Sequence, residues 1–326
     1  MLRAPAATDP ALRTTLCGIE LVNPVMLAAG TCGTLDEMAG VLDLARVGGL
    51  VAKSVTPAPR EGNPAWRILE ARGGAGMLNS IGLANVGLDA FESACVPRIA
   101  RLPTAVVASV AGFCADDYTR VAATLDEHAH AEPGPGAGRL VALELNVSCP
   151  NVHTGMEFGS SPRALADLLD AVRPRVRRAK LFVKLGPLTP EIVLVARAAI
   201  DHGADALTIA NTIPAMAIDV RARRPRLANV TGGLSGPAAH PLAVRLVHDV
   251  FRAVARDAGV PIIGVGGVMN WEDAAEFILA GATAVQIGTA LFADPRAPLA
   301  VARGLSRWVR EQGHHTIAPL VGALET

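Results

Sequence analysis

The sequence predicts an α/β protein built as a single (β/α)8 (TIM) barrel, and three observations carry that expectation. Short apolar, β-branched runs alternate with longer amphipathic stretches; eight such pairs follow one another without reversal; and 51% of residues are apolar against 18% charged. Continuous apolar strands separated by helices imply a parallel sheet buried on both faces. Eight repeats without reversal favour a closed ring over an open doubly wound sheet. At roughly 150 residues per domain the 326 residues would nominally give two domains, but a barrel of about 250 residues forms one unit, so one domain over 1–326 is expected.

The elements follow in order. Strands are predicted at 23–29 (NPVMLAA), 49–55 (GLVAKSV), 104–111 (TAVVASVA), 140–147 (LVALELNV), 180–185 (KLFVKL), 206–211 (ALTIAN), 260–265 (VPIIGV) and 284–288 (AVQIG). Helical patterns are predicted near 35–46, 89–101, 116–130, 163–178, 190–202, 238–258, 271–280 and 296–312. Several open on Pro or on a capping residue such as Asp116 or Asn270. Three segments on the strand-to-helix side exceed the usual few residues: 56–88, 148–162 and 212–237. Barrel enzymes carry substrate contacts on that face. The Gly/Pro-rich EPGPGAG at 132–138 belongs to the opposite face and reads as a plain linker.

Charge and cysteine usage narrow the function classes. Lys plus Arg and Asp plus Glu are both 30, so no general attraction to nucleic acid or an anionic membrane is expected. The N-terminal MLRAPAATDPALRTTL lacks a signal-peptide core, and the apolar stretch 277–293 is broken by Gly281, Thr283, Gln286 and Gly288. A cytoplasmic protein is expected. The cysteines at 17, 32, 95, 114 and 149 are odd in number and contain no C-x-x-C pair, so neither a disulfide frame nor a metal site is suggested.

Polar residues where the strands end are the informative ones, because those ends converge on the barrel mouth. They include Gly30, Lys53, Ser54, Asn146, Ser148, Cys149, Asn151, Lys184, Asn211, Thr212, Gly266, Gly267, Gly288 and Thr289. A lysine ending an apolar strand needs an anion, a neighbouring carboxylate or a path to solvent, and Lys53 and Lys184 both occupy that position. Glycines in IIGVGGV and VQIGTAL expose backbone N–H groups where barrels commonly bind phosphate, or merely permit tight turns. Met269 occupies the place of the last glycine of a dinucleotide fingerprint, so that motif is absent. In ELNVSCPNVHTG, 144–155, Cys149 beside Pro150 is placed for nucleophilic or general-base work, although free cysteine is more often a buried apolar residue. Cys17, Cys32, Cys95 and Cys114 read as structural. His128, His130, His314 and His315 read as solvent-facing, as does the loop residue His153.

These segments together resemble the dihydroorotate dehydrogenases. NPVMLAAGT, VAKSVT followed by GNPAWRI, MLNSIGLAN, ELNVSCPNV, KLGP, AIDVRARRP, GGLSGPA, PIIGVGGV and AVQIGTALF occur in the family's order between about residues 16 and 312. The resemblance implies an FMN-binding barrel that oxidises dihydroorotate to orotate in pyrimidine synthesis, with FMN as hydride acceptor. It implies Cys149 as the base that takes the C5 proton. Lys53, Asn79, Gly82, Leu83, Asn146, Asn151, Asn211 and Thr212 match the positions that hold the orotate ring and carboxylate. Asparagines suit that ring because each offers donor and acceptor together. Ala29, Gly30, Lys53, Ser54, Asn146, Lys184, Gly236, Gly266, Gly267, Gly288 and Thr289 match the FMN positions. Lys184 would then place positive charge by flavin N1 and C2=O.

AIDVRARRPRLANVTGGLSG resembles the NAD-linked soluble class, whose members work with a second polypeptide carrying FAD and a [2Fe–2S] cluster. The expected assembly is a homodimer of this chain within a heterotetramer. Trp66 and Pro214-Ala215 depart from the family's pattern near the mouth. The alternative reading is a dihydropyrimidine dehydrogenase-like flavin subunit acting on uracil or thymine. A barrel that binds FMN without chemistry is disfavoured by the intact Cys149 and lysines.

Overall fold

The computed structural model describes residues 9–148, 158–187 and 191–325. Eight strands close into a parallel barrel in chain order: β1 (Val25–Leu27), β2 (Gly49–Val51), β3 (Ala105–Val110), β4 (Leu140–Asn146), β5 (Lys180–Leu185), β6 (Ala206–Ile209), β7 (Ile262–Val265) and β8 (Ala282–Ile287), which returns to β1. Each lies inside or close to its expected segment. The residues lost at the ends, such as Ala28, Ala29, Lys53 and Ser54, are those that leave the ladder to form the mouth.

Helices cover the outside at Ala115–Asp126, Pro162–Val172, Ile192–Asp201, His240–Val250, Trp271–Ala280 and Ala297–Glu311. Asn270 caps as expected: its side chain accepts from the Asp273 amide while the Asp273 carboxylate accepts from the Asn270 amide. Asp116 does not cap. Helix Ala115–Asp126 starts after Cys114, and Asp117 turns back to accept from the Phe113 amide at 2.8 Å. The helix expected at 35–46 is replaced by two short 3-10 turns, Glu37–Gly40 and Leu44–Arg46. Gly40 weakens helix continuity there, and the Asp43 side chain accepts from the Ala45 amide, starting a new turn.

Inside the barrel, alternate residues of each strand face the axis. Met26, Val51, Val107, Ala142, Phe182, Ala206, Ile263 and Ala284 pack into one apolar cluster with Leu16, Ile19 and Leu21. Those last three belong to an N-terminal hairpin, Thr14–Leu16 against Ile19–Leu21, that closes the barrel floor. The segment 132–138 is therefore not a plain linker. Gly134–Pro135 pairs in parallel with the second hairpin strand, and an added Cβ on Gly136 would press on Ile19 and Ala105.

The opposite end also departs from the sequence expectation. Segments 56–88 and 212–237 do not remain simple loops: Ile68–Ala71, Gly76–Asn79, Thr231–Ser235 and Ile213–Met216 join in one antiparallel sheet. Backbone contact is unusually close at this seam, where a Cβ on Gly76 would run into the Ser235 carbonyl. The two excursions thus share a wall at the barrel mouth.

Candidate active site

Moving up the barrel axis from the apolar floor, the next inward positions turn polar. Glu144 has no solvent exposure; its Oε2 accepts from Thr208 Oγ1 at 2.8 Å and Gln286 Nε2 at 2.9 Å. Its Oε1 lies 3.6 Å from Lys184 Nζ, an ion pair whose lysine side chain is only 9% exposed. Lys184 also lines the cleft above. The lysine thus has an internal carboxylate below it as well as the cleft. Oε1 of Glu144 and Oε1 of Gln286 are buried with no hydrogen-bond partner among the described residues.

Above this layer the strand ends meet. Asn146 sits beside Lys184 in the β4–β5 register, and its carbonyl accepts from the Tyr118 hydroxyl at 2.8 Å. Asn211 Nδ2 donates to Asn146 Oδ1 and to the Ser148 carbonyl, both at 3.1 Å, while its Oδ1 accepts from the Thr212 amide. Ser54 and Ser109 hydroxyls are 2.9 Å apart. These contacts fix two asparagine side chains in a polar row facing one cleft, with about 1190 Å³ of empty space including solvent at its opening.

On one wall stand Ala29, Gly30 and Lys53, and on the facing excursions Asn79, Gly82 and Leu83. Asn79 donates to the Gly233 carbonyl at 3.3 Å, tying the two excursions together. Leu83 adopts φ +57, a conformation rare for a side-chain-bearing residue and found at functional turns more than elsewhere. Gly266, Gly267, Gly288 and Thr289 line the far end, with φ +144 at Gly266 and +67 at Gly267. Thr289 Oγ1 donates to Ser235 Oγ at 2.7 Å. Gly236 does not line the cleft; its carbonyl stands behind Gly267. Cys149 and Asn151 lie outside the described residues.

Sequence reasoning missed Ser109, Glu144, Thr208, Gln286, Met77 and Ser235. The signal for the first four was period two: Glu144 precedes Asn146 by two residues, and Gln286 precedes Gly288 by two. The side chains of Met77 and Ser235 reach the cleft only because the two excursions pair.

The remaining thiols and histidines complete the picture. Cys32 is buried with its thiol toward the Ala28 and Val51 carbonyls, and burial pushes it up to about 12. Burial, aided by the Asp205 carboxylate, pushes Cys17 up to about 12 also. Cys114 is exposed, contrary to the structural role expected of it. His128 is not simply solvent-facing either, since Nε2 meets Glu92 Oε1 at 2.8 Å. Among the described residues there is no cluster of three or more metal-ligating side chains, and no helix long and apolar enough to cross a membrane.

Comparison with known proteins agrees with this geometry. The family model described as dihydroorotate dehydrogenase matches residues 11–309. The Pelobacter propionicus protein named dihydroorotate dehydrogenase B (NAD(+)), catalytic subunit, is 45% identical over 317 residues, covering 97% of this chain and 99% of that one. The Trichlorobacter lovleyi protein of the same name is 46% identical over the same length and coverage. A Solibacter usitatus protein named putative dihydroorotate dehydrogenase A (fumarate) is 45% identical, again over 97% of this chain and 99% of that one. A crystal structure of DHODH from Eimeria tenella, in complex with ferulenol, superposes with a TM-score of 0.81 over 97% of this chain and 89% of that one, at 22% identity, which speaks to the fold alone. With a family model matching nearly its whole length and relatives this similar from end to end, the chain belongs to the dihydroorotate dehydrogenase family.

Proposed function

We propose that this chain oxidises dihydroorotate to orotate in pyrimidine biosynthesis, with FMN resident in the cleft at the barrel mouth. The observation that carries the reading is the coincidence, in one cleft, of a buried strand-end cation, a row of fixed asparagines and a glycine-lined far end. The cleft fits FMN on its own geometry. Lys184 offers a largely desolvated positive charge on the floor, and the left-handed Gly266–Gly267 turn brings bare backbone to the wall. Ala29, Gly30, Lys53, Ser54, Asn146, Lys184, Gly288 and Thr289 would hold the cofactor, with Gly236 supporting the turn from behind. FMN, when bound, supplies the hydride acceptor.

The chain's own residues do the rest. Lys53, Asn79, Asn146, Asn211 and Thr212, with the backbone at Gly82 and Leu83, hold the substrate ring and its carboxylate, and Asn151 completes the set from the segment outside the described residues. Cys149 takes the C5 proton as hydride leaves C6. A thiol, with an unperturbed pKa near ~8.5, is a better base at neutral pH than a hydroxyl. Cys149→Ala therefore keeps FMN but lowers flavin reduction by dihydroorotate about 10² to 10⁴-fold, while Cys149→Ser keeps a small activity that rises with pH. Reduction at the parent rate in Cys149→Ala, followed by stopped-flow absorbance, contradicts the assignment.

Electrons leave through a separate iron–sulfur flavoprotein subunit carrying FAD and a [2Fe–2S] cluster, with NAD as final acceptor and a homodimer of this chain at the centre of a heterotetramer. The names of the Pelobacter and Trichlorobacter relatives support this class. Ile68 and Phe292, which line the cleft and stand exposed at its rim, offer the apolar contact such a partner needs.

A further inference from the structure

His240 opens the helix His240–Val250 immediately behind the Gly266–Gly267 turn, and the assignments above give it no role. Its side chain is 9% exposed. Nδ1 lies 2.9 Å from the Gly266 carbonyl oxygen, and Nε2 lies 3.1 Å from Glu276 Oε2, with Asp273 Oδ1 at 3.9 Å. The ring stands edge-on to Phe277, centroids 5.1 Å apart, so its plane is fixed by packing as well as by hydrogen bonds.

A carbonyl oxygen can only accept, so Nδ1 is the donor in the contact with Gly266. In a trans peptide the carbonyl and the following N–H point in opposite directions. With the Gly266 carbonyl turned towards His240, the Gly267 amide is turned to the other side, which is the cleft both glycines line. Gly267 is closely packed on the His240 side: an added Cβ would sit 2.6 Å from the Gly236 carbonyl and 2.7 Å from His240 Cβ. The imidazole and the turn are therefore packed as one unit.

We propose that His240 is a positioning residue for the phosphate end of the cleft: by holding the Gly266 carbonyl it aims the Gly267 amide at the cofactor phosphate and so makes the chain discriminate FMN from riboflavin. The proposal rests on the FMN reading above and goes beyond it by naming a residue that touches neither cofactor nor substrate. Its signature is selective. Loss of the imidazole weakens the phosphate contact and leaves the isoalloxazine contacts, made by other strands, as they were.

The experiment titrates flavin-stripped protein with FMN and with riboflavin, following flavin fluorescence. In His240→Leu, FMN affinity falls about tenfold or more while riboflavin affinity stays within about twofold, the loss of one well-placed hydrogen bond to an anion. His240→Asn, whose amide can still donate to Gly266, keeps most of the parent preference. Glu276→Ala, a change at an exposed position that removes the partner of Nε2 and loosens the ring, shifts the ratio in the same direction by a smaller factor and carries the test if His240→Leu fails to fold. An FMN-to-riboflavin ratio unchanged in His240→Leu, or in Glu276→Ala where that variant stands in, overturns the proposal while leaving the FMN reading intact. A parent chain that binds no flavin contradicts the FMN reading and the proposal with it.

Discussion

Glu144 shows what a single residue does in the middle of a strand that otherwise reads as core. A carboxylate with no exposure survives there because Thr208 and Gln286 donate to one oxygen and Lys184 stands near the other. Lys184 at the end of a strand was conspicuous in the sequence; Glu144 was not, since nothing local says that E in LVALELN faces a cation from β5. Lys184→Met leaves the carboxylate buried and unpaired, and chemical denaturation should show a loss of about 3–5 kcal/mol. The double variant Lys184→Met/Glu144→Gln should recover a large part of it, and equal stability of parent and Lys184→Met would contradict the pairing. The thiols give a second residue-scale expectation. In a Cys149→Ala background, brief alkylation of native protein at neutral pH followed by peptide mass spectrometry should label Cys114, which is exposed, and spare Cys17 and Cys32, whose thiols burial holds protonated up to about 12. Labelling of Cys32 at the rate of Cys114 would contradict that burial.

At the scale of elements, the barrel was legible and its two ends were not. Parallel strands buried on both faces advertise themselves as continuous apolar runs such as AVVASV and LVALEL, and all eight were found with short errors at their ends. GMLN, TGGLS and IPAM carry no such pattern, because each pairs only across the barrel mouth with a segment about 150 residues away or with its own neighbour. The same holds for Gly134–Pro135 on the floor. Close approach at the mouth makes a specific prediction. Gly76→Ala, at φ +138 and against the Ser235 carbonyl, should dislodge the seam between the excursions and sharply lower turnover while the unfolding midpoint of the barrel changes little. Parent-level turnover in Gly76→Ala would show that the seam does not position the site. Helix capping is independent of that seam: Asn270→Ala should cost about 1 kcal/mol of stability in urea denaturation, with turnover at 25 °C unaffected.

The whole molecule joins a barrel whose floor is plugged by its own N-terminal hairpin to a mouth walled by two long excursions. Its chemistry sits where the strand ends, the excursions and the glycine turn converge, and the residues quoted from the sequence as candidates reach one cleft wherever they are described, apart from Gly236 and the buried Ser148. What the sequence left unread was the polar layer beneath and the imidazole behind the turn, both set by contacts between distant strands and helices. A chain of this kind should pass electrons to an artificial dye but not directly to NAD, because the sequence has no dinucleotide fingerprint and no cysteine cluster to carry single electrons. Direct NAD reduction by the isolated chain would overturn the need for a partner, and brisk fumarate reduction would place it with the fumarate-linked class. The most direct measurement is an anaerobic titration of the purified protein with dihydroorotate, followed in the visible flavin band. The band should bleach with formation of orotate in equal amount to the flavin reduced, and dihydrouracil should leave it unchanged. A band that persists with dihydroorotate, or that bleaches with dihydrouracil instead, would contradict the proposed function.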